Sequence, residues 1–374
     1  MLTTPALRHF GPHWYAPVMG TAVVATAGAA LGSGPRPVYV AMWALSAVLL
    51  ALVLTARAGH WRHHRDQARA HLLDPAVAPF YGCLAMALLA VGTATITVGR
   101  DALGERAAVA VDAVLFGAGT LLGLVVAVTV PYLMAVRHRP AVADVSPVWL
   151  LPLVAPMVSA AAAPLLVPYL PAGQWRAALL FGGYGMFGLS LFATLALLPL
   201  ILARLLLHGP PPLALTPALF LVLGPLGQSA TALHQLAGAA VGAPYADALA
   251  ALAVAYGVPV LGFALFWLAL AAALVVGAVR RGMRFSMTWW AFTFPVGTCV
   301  TGAAGLGRRT GLVALEWLAV ALFAVLVATW AVAAWGTLRG LLHGALPAAT
   351  GGGAEAGAGA GVKAPPRPAS ARTA

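Results

Sequence analysis

The chain has 374 residues, 62% of them hydrophobic and only 8% charged, a balance that excludes an ordinary water-soluble domain and points to several crossings of a bilayer. Its formal charge of +12 comes from 21 basic residues, all arginine but Lys363. They fall in short connections between apolar runs, so they read as topology signals rather than as a nucleic-acid surface.

A bilayer core about 30 Å thick needs about 20 apolar residues to cross it as a helix. Residues 1–13 form a short N-terminal segment, and the first apolar run, 14–32, holds "APVMGTAVVATAGAALGSG", long enough to remain as a span rather than a cleaved signal. Nine further runs follow near 38–56, 76–98, 108–135, 146–168, 177–203, 215–241, 248–279, 285–306 and 312–338. Residues 14–340 therefore make one membrane domain, and 341–374, poor in large apolar side chains, a disordered tail. Cys83 and Cys299 lie inside apolar runs, without the spacing of a zinc site or a disulfide framework.

Positive charge sets the orientation. The connections after the even runs carry Arg57, Arg62, Arg65, Arg69, Arg137, Arg139, Arg204, Arg280, Arg281 and Arg284, with Arg8 and Arg339 at the two ends. The opposite side has only Arg36, Arg100, Arg106, Arg176, Arg308 and Arg309. The expectation is a multi-pass protein of the cytoplasmic membrane with both termini, tail included, in the cytoplasm.

The odd runs share a fragment: "APVMGT" at Pro17, "APFYGC" at Pro79, "APMVSA" at Pro156, "GPLGQS" at Pro225 and "FPVGTC" at Pro295, each one hairpin apart. At the third of these, Pro152 offers a second register. Proline cannot donate to the carbonyl four residues earlier, and a freed carbonyl is tolerated in a membrane only against protein or a wet cavity. The pattern predicts an all-α fold of ten transmembrane helices in five hairpins, with a quasi-five-fold inner ring of proline-kinked odd helices around a central pore. The residue before each proline is Ala16, Ala78, Ala155, Gly224 or Phe294. One large ring facing four small residues is a candidate plug, since hydrophobic constrictions close a conduit by excluding water. Phe292 lies about 200° round the helix, so the two rings cannot share one lumen. After the prolines come Gly20 and Thr21, Gly82 and Cys83, Ser159, Gln228 and Ser229, and Gly297 and Thr298. These either line the path with weak donors or allow close helix packing.

Ionisable residues narrow the chemistry. No acidic residue is central in an odd run, whereas proton pumps and cation carriers place carboxylates at mid-membrane. Asp112 and Glu316 sit near helix starts. His234, in "SATALHQLAG", is either a proton-sensitive lining residue or a histidine satisfied by a neighbour. His60, His63, His64 and His71 read as part of a basic loop, with metal binding the weaker alternative.

The strings "WYAPVMGT", "GPLGQSATAL" and above all "FSMTWWAFTFPVGTCVTG" resemble the tellurite-resistance/dicarboxylate transporter family over about residues 10–340. That family includes bacterial anion channels, plant slow anion channels, fungal malate carriers and sulfite exporters. The resemblance implies ten helices in five hairpins, odd helices lining a pore, a homotrimer with one pore per protomer, and a phenylalanine of the ninth helix as its block. By match to this stretch the block falls on Phe294, with Phe292 second.

The expected function is transport of small anions, such as sulfite, C4-dicarboxylates including malate, nitrate or chloride, through a Phe-gated uncharged pore, as channel or exporter. The expected partners are those anions and the lipid bilayer, with no nucleic acid, cofactor or metal. The competing reading is a membrane-embedded enzyme or electron-transfer subunit. It needs a reactive constellation, and the spanning runs offer neither paired acids nor a metal-ligand set.

Overall fold

The structure of the chain, a computed structural model, describes Arg8 and residues 10–343. These residues are helical, with no strand among them. The long segments are α1 (Tyr15–Ala30), α2 (Arg36–His63), α3 (Ala78–Leu103), α4 (Glu105–His138), α5 (Pro147–Tyr169), α6 (Gln174–His208), α7 (Leu213–Ala239), α8 (Ala246–Arg280), α9 (Phe294–Thr310) and α10 (Val313–Leu342). Eight of them, all but α1 and α9, are long and apolar enough to cross a bilayer, so the chain is a multi-pass membrane protein. α1 and α9 have 16 and 17 residues and are preceded by 3-10 turns at Pro12–Trp14 and Met287–Phe292. The expected terminal segments lie mostly outside the described residues, although Leu341 and Leu342 still belong to α10.

Burial divides the segments by parity. In the most apolar stretch of α3, α5 and α7, 83% to 89% of residues are buried, against 22% to 28% in α2, α4, α6, α8 and α10. α1 and α9 are likewise buried along most of their length. The even segments turn residues such as Val128, Phe192, Leu206 and Trp317 outward, as lipid requires. Each segment packs on the next in pairs, α1 with α2 through α9 with α10. The odd segments also pack on each other: α1 on α3, α3 on α5, α5 on α7, α7 on α9 and α9 on α1.

The prolines act differently from the interior kinks expected. Every odd segment opens with a 3-10 turn and then relaxes to an α-helix. Pro17 and Pro225 are each the third residue of that α-helix, and Pro295 is the second. Pro79 lies within the opening turn Ala78–Tyr81. Pro79 and Pro295 sit at the second position of their turn or helix, where the missing N–H has no intrahelical partner to lose; Pro17 and Pro225 sit where the winding passes from 3-10 to α and successive donors would address one carbonyl, so no acceptor is stranded. Pro156 alone of the five lies beyond the first turn of its α-helix, and Pro152, third residue of the helix Leu150–Leu166, takes the place that Pro17 and Pro225 hold. The repeat register is therefore Pro152, and the residue before it is Leu151, not Ala155.

Polar groups from the even segments fasten the odd ones. Trp267 of α8, fully buried, donates to the Leu219 carbonyl in the 3-10 turn of α7 at 2.9 Å. Trp43 of α2 donates to Thr95 Oγ1 at 2.9 Å, and Ser190 of α6 to the Leu153 carbonyl at 2.6 Å. Such bonds hold helices together where water-driven association is absent.

Candidate functional site: two cavities across the odd segments

Two cavities lie along the odd segments, and each of the five contributes to both. The first, of about 390 Å³, takes residues from their later turns: Thr26, Thr93, Val158, Gln228 and Thr301. The second, of about 490 Å³, takes residues from their opening turns: Ala16, Phe80, Leu151, Leu221 and Ala291. All five therefore run in the same direction from the second cavity to the first. On α1 the wall of the second cavity ends at Met19 and that of the first begins at Val23, four positions on and about 6 Å of helix rise away.

Phe294 stands at this division. It is 5% exposed and walls the first cavity, while Trp290 and Ala291, one turn earlier in the chain, wall the second. Phe292 points elsewhere: its ring stacks edge-on against Phe220 at 4.7 Å and lies 5.8 Å from Trp289. Thr293, with φ −91° and ψ −76°, separates the 3-10 turn from α9 and sends the two rings apart.

The other expected lining residues split into two groups. Gln228 and His234 wall the first cavity and Cys83 the second. The remaining hydroxyls are occupied by helix contacts. Thr21 donates to the Pro17 carbonyl at 2.7 Å and accepts from Trp330 of α10 at 3.1 Å. Ser159 accepts from Thr120 of α4 at 2.9 Å, and Ser229 from Tyr256 of α8 at 2.8 Å. Thr298 donates to the Pro295 carbonyl at 2.6 Å, against α7. The glycines serve close approach: a Cβ on Gly20 would fall 2.3 Å from Thr293 Oγ1, one on Gly82 2.5 Å from the Leu151 carbonyl oxygen, and one on Gly297 2.5 Å from Val23 Cγ2.

Charge was expected to be absent from the lumen, and the division between the cavities carries none. The first cavity, however, has Arg36, Arg100 and Arg308 in its wall with His234, and no acidic residue. Arg36 is paired with Asp101 at 2.6 Å. Arg308 donates to the Ala30 carbonyl at 2.5 Å, while Arg309 reaches His234 Nδ1 at 3.4 Å. Reading these arginines as topology signals alone missed this role. The signal available was that Arg36, Arg100 and Arg308 each follow an odd run, and so share one side.

The wall of the second cavity includes His13. Burial, with help from nearby His71 and Arg57, holds its pKa down at about 4, so the ring is neutral at physiological pH. Arg57, 4% exposed, donates to the Phe10 carbonyl at 2.6 Å and to Tyr81 Oη at 3.2 Å. The expected basic loop is helical instead: His60 and His63 end α2, and His71 lies in the short helix Arg65–Leu73, where it stacks on His60 at 5.4 Å. Among the described residues no group of three or more His, Cys, Asp or Glu side chains is placed to hold a metal. Asp112 proves to be 1% exposed, wedged against Gly92 of α3 and outside both cavities.

Comparison with known proteins finds relatives over most of the chain. The chain is 26% identical over 331 residues to an uncharacterized transporter of Methanocaldococcus jannaschii, covering 87% of this chain and 92% of that one. It is 26% identical over 337 residues to a sulfite efflux pump of Arthroderma otae, covering 87% and 89%. A sulfite efflux pump of Trichophyton rubrum is 27% identical over 316 residues, covering 81% and 83%. These relatives are transporters, not enzymes. The family model for voltage-dependent anion channels matches residues 9–338, most of the chain, so this helical membrane protein belongs to that family, SLAC1.

Proposed function

We propose that the chain conducts small anions across the membrane along a path joining the two cavities and closed by the ring of Phe294. The observation that carries this reading is the place of that ring, where the cavities come within one turn of each other on α9. A large apolar ring in an uncharged throat excludes water, and an ion cannot shed its hydration there. Among the described residues no carboxylate walls either cavity, which suits anions.

The finer architecture belongs to the same proposal: ten crossings in five hairpins, with the odd helices as a quasi-five-fold ring around the path. The cyclic packing of α1, α3, α5, α7 and α9 and their common direction support it. The excess of arginine after the even segments supports cytoplasmic termini in the cytoplasmic membrane, which turns the second cavity inward and the first outward. The resemblance of the sequence supports a homotrimer with one path per protomer. Sulfite leads the substrate panel, because two of the relatives are sulfite efflux pumps. Malate, nitrate and chloride complete it.

The test is anion flux in proteoliposomes. Phe294→Ala should raise flux by at least about tenfold, the factor given by a barrier lower by only about 1.4 kcal/mol. Phe292→Ala, which empties the contact with Phe220 and Trp289, should lower stability without raising flux. Background flux through a folded, inserted Phe294→Ala variant would refute the gate.

A further inference from the structure

Resting on the anion path proposed above, we infer that the first cavity holds a discrete site for a small oxyanion, built from Arg308 and His234, with Arg309 behind the ring fixing the histidine's tautomer. Gly305, Arg308 and Arg309 stand at i, i+3 and i+4 on α9 and share one face. Side chains on a helix lean toward its N-terminus, so both guanidinium groups reach back over the turn that holds Gly305. The imidazole of His234, from α7, lies on that glycine: a Cβ there would fall 2.8 Å from His234 Cδ2. Only glycine lets the ring sit beneath the two arginines.

The contact with Arg309 settles what the imidazole can do. Arg309 Nε donates to His234 Nδ1 at 3.4 Å, and its Nη2 donates to the His234 carbonyl at 3.3 Å. A guanidinium has no acceptor, so Nδ1 must receive and the neutral ring carries its proton on Nε2. His234, weighed above as proton-sensitive, is thereby a fixed N–H donor in the cavity wall. Neither Arg308 nor Arg309 has a carboxylate within 4 Å among the described residues, since the ion pairs there are Arg8 with Asp66 and Arg36 with Asp101. Arg308, on the cavity wall, spends one N–H on the Ala30 carbonyl and keeps the rest.

The result is one cation without a carboxylate partner within 4 Å, Arg308, in the same cavity wall as an N–H donor whose tautomer Arg309 fixes from the other side of the ring. An anion with two or more acceptor oxygens, such as sulfite or a carboxylate, can meet the charge and the donor together. A halide meets the charge but gains little from the donor's direction. The site therefore favours small oxyanions over chloride.

The experiment measures concentration dependence of sulfite and chloride flux through the full chain in proteoliposomes, together with sulfite binding to the solubilised protein. His234→Leu should raise the half-saturating sulfite concentration by about tenfold or more, the loss of a hydrogen bond to an anion, and leave chloride within about twofold. His234→Gln, whose amide N–H replaces that of Nε2, should recover sulfite to within about threefold of wild type. Arg308→Gln should weaken both anions. Should His234→Leu fail to insert, the exposed Arg308 carries the test. Unchanged sulfite saturation in His234→Leu and Arg308→Gln would overturn the site, and so would an equal shift of sulfite and chloride in His234→Leu. Sulfite binding with this variant pattern but no flux would uphold the site and refute transport.

Discussion

Gly227 leaves no room for a single added methyl between α7 and α9. On α7, a Cβ at this position would fall 2.5 Å from the backbone nitrogen of Cys299, 2.5 Å from Thr298 Oγ1 and 2.6 Å from the Thr298 carbonyl carbon. Ordinary contacts begin near 3.5 Å, so α7 and α9 must part by about 1 Å, and no rotamer change relieves a clash with backbone. Overpacking of this kind costs about 1–3 kcal/mol. Gly238, further along α7, has nothing within 4 Å of its ideal Cβ. Alanine there meets no clash and gains up to about 1 kcal/mol of helix preference. Both glycines lie in the same helix, so that gain cancels, and Gly227→Ala should be less stable than Gly238→Ala by about 1–3 kcal/mol. Reversible unfolding of purified protein in mixed micelles, followed by tryptophan fluorescence, measures that difference. Equal midpoints for the two variants would refute the claim that α7 and α9 are in backbone contact near the start of α9.

Two further outcomes follow from buried partners. His13 is held at about 4 against an ordinary 6.5, so the folded protein binds fewer protons than the unfolded chain between those values. Stability is then fully present above 6.5 and falls as the pH drops toward 4; His13→Gln should flatten the melting temperature across this window, and an unchanged slope would remove His13 from the account. Trp267→Phe strands the Leu219 carbonyl in the opening turn of α7, and should cost about 1–3 kcal/mol in the micelle assay. No loss of stability would mean that the carbonyl finds another donor.

Much of the fold was legible because lipid imposes simple rules. Apolar runs of span length located the segments to within a few residues, and the recurring proline marked those that lie inside. What the proline does was not legible. Whether it interrupts a helix or begins one depends on whether the preceding turn winds as 3-10, and that is set by packing such as Trp267 on Leu219 rather than by local sequence. Phe294 stood out against small counterparts, although one of those, at the third repeat, is Leu151 once the register is corrected. The hydroxyls of Thr21, Ser159, Ser229 and Thr298 misled as lining candidates. In a dry interior such groups first satisfy a nearby carbonyl or a neighbouring helix, and only those without such a call on them remain for a solute. Gln228 and His234, with longer side chains, reach past their own helix to the cavity.

The shared direction of the five inner segments has an electrostatic consequence. Each helix presents about half a positive charge at its N-terminus and half a negative one at its C-terminus. None of the five opening turns holds an acidic residue, so the positive ends face the second cavity undiminished. At the far ends arginines lie on the outgoing carbonyls: Arg308 on Ala30, Arg36 on Thr97, Arg176 on Pro168 and Leu170, and Arg309 on His234. Backbone dipoles thus welcome an anion at one mouth, and guanidinium groups mask the dipoles that would repel it at the other. The protein achieves a potential favourable to negative solutes from end to end without placing a formal charge in the throat.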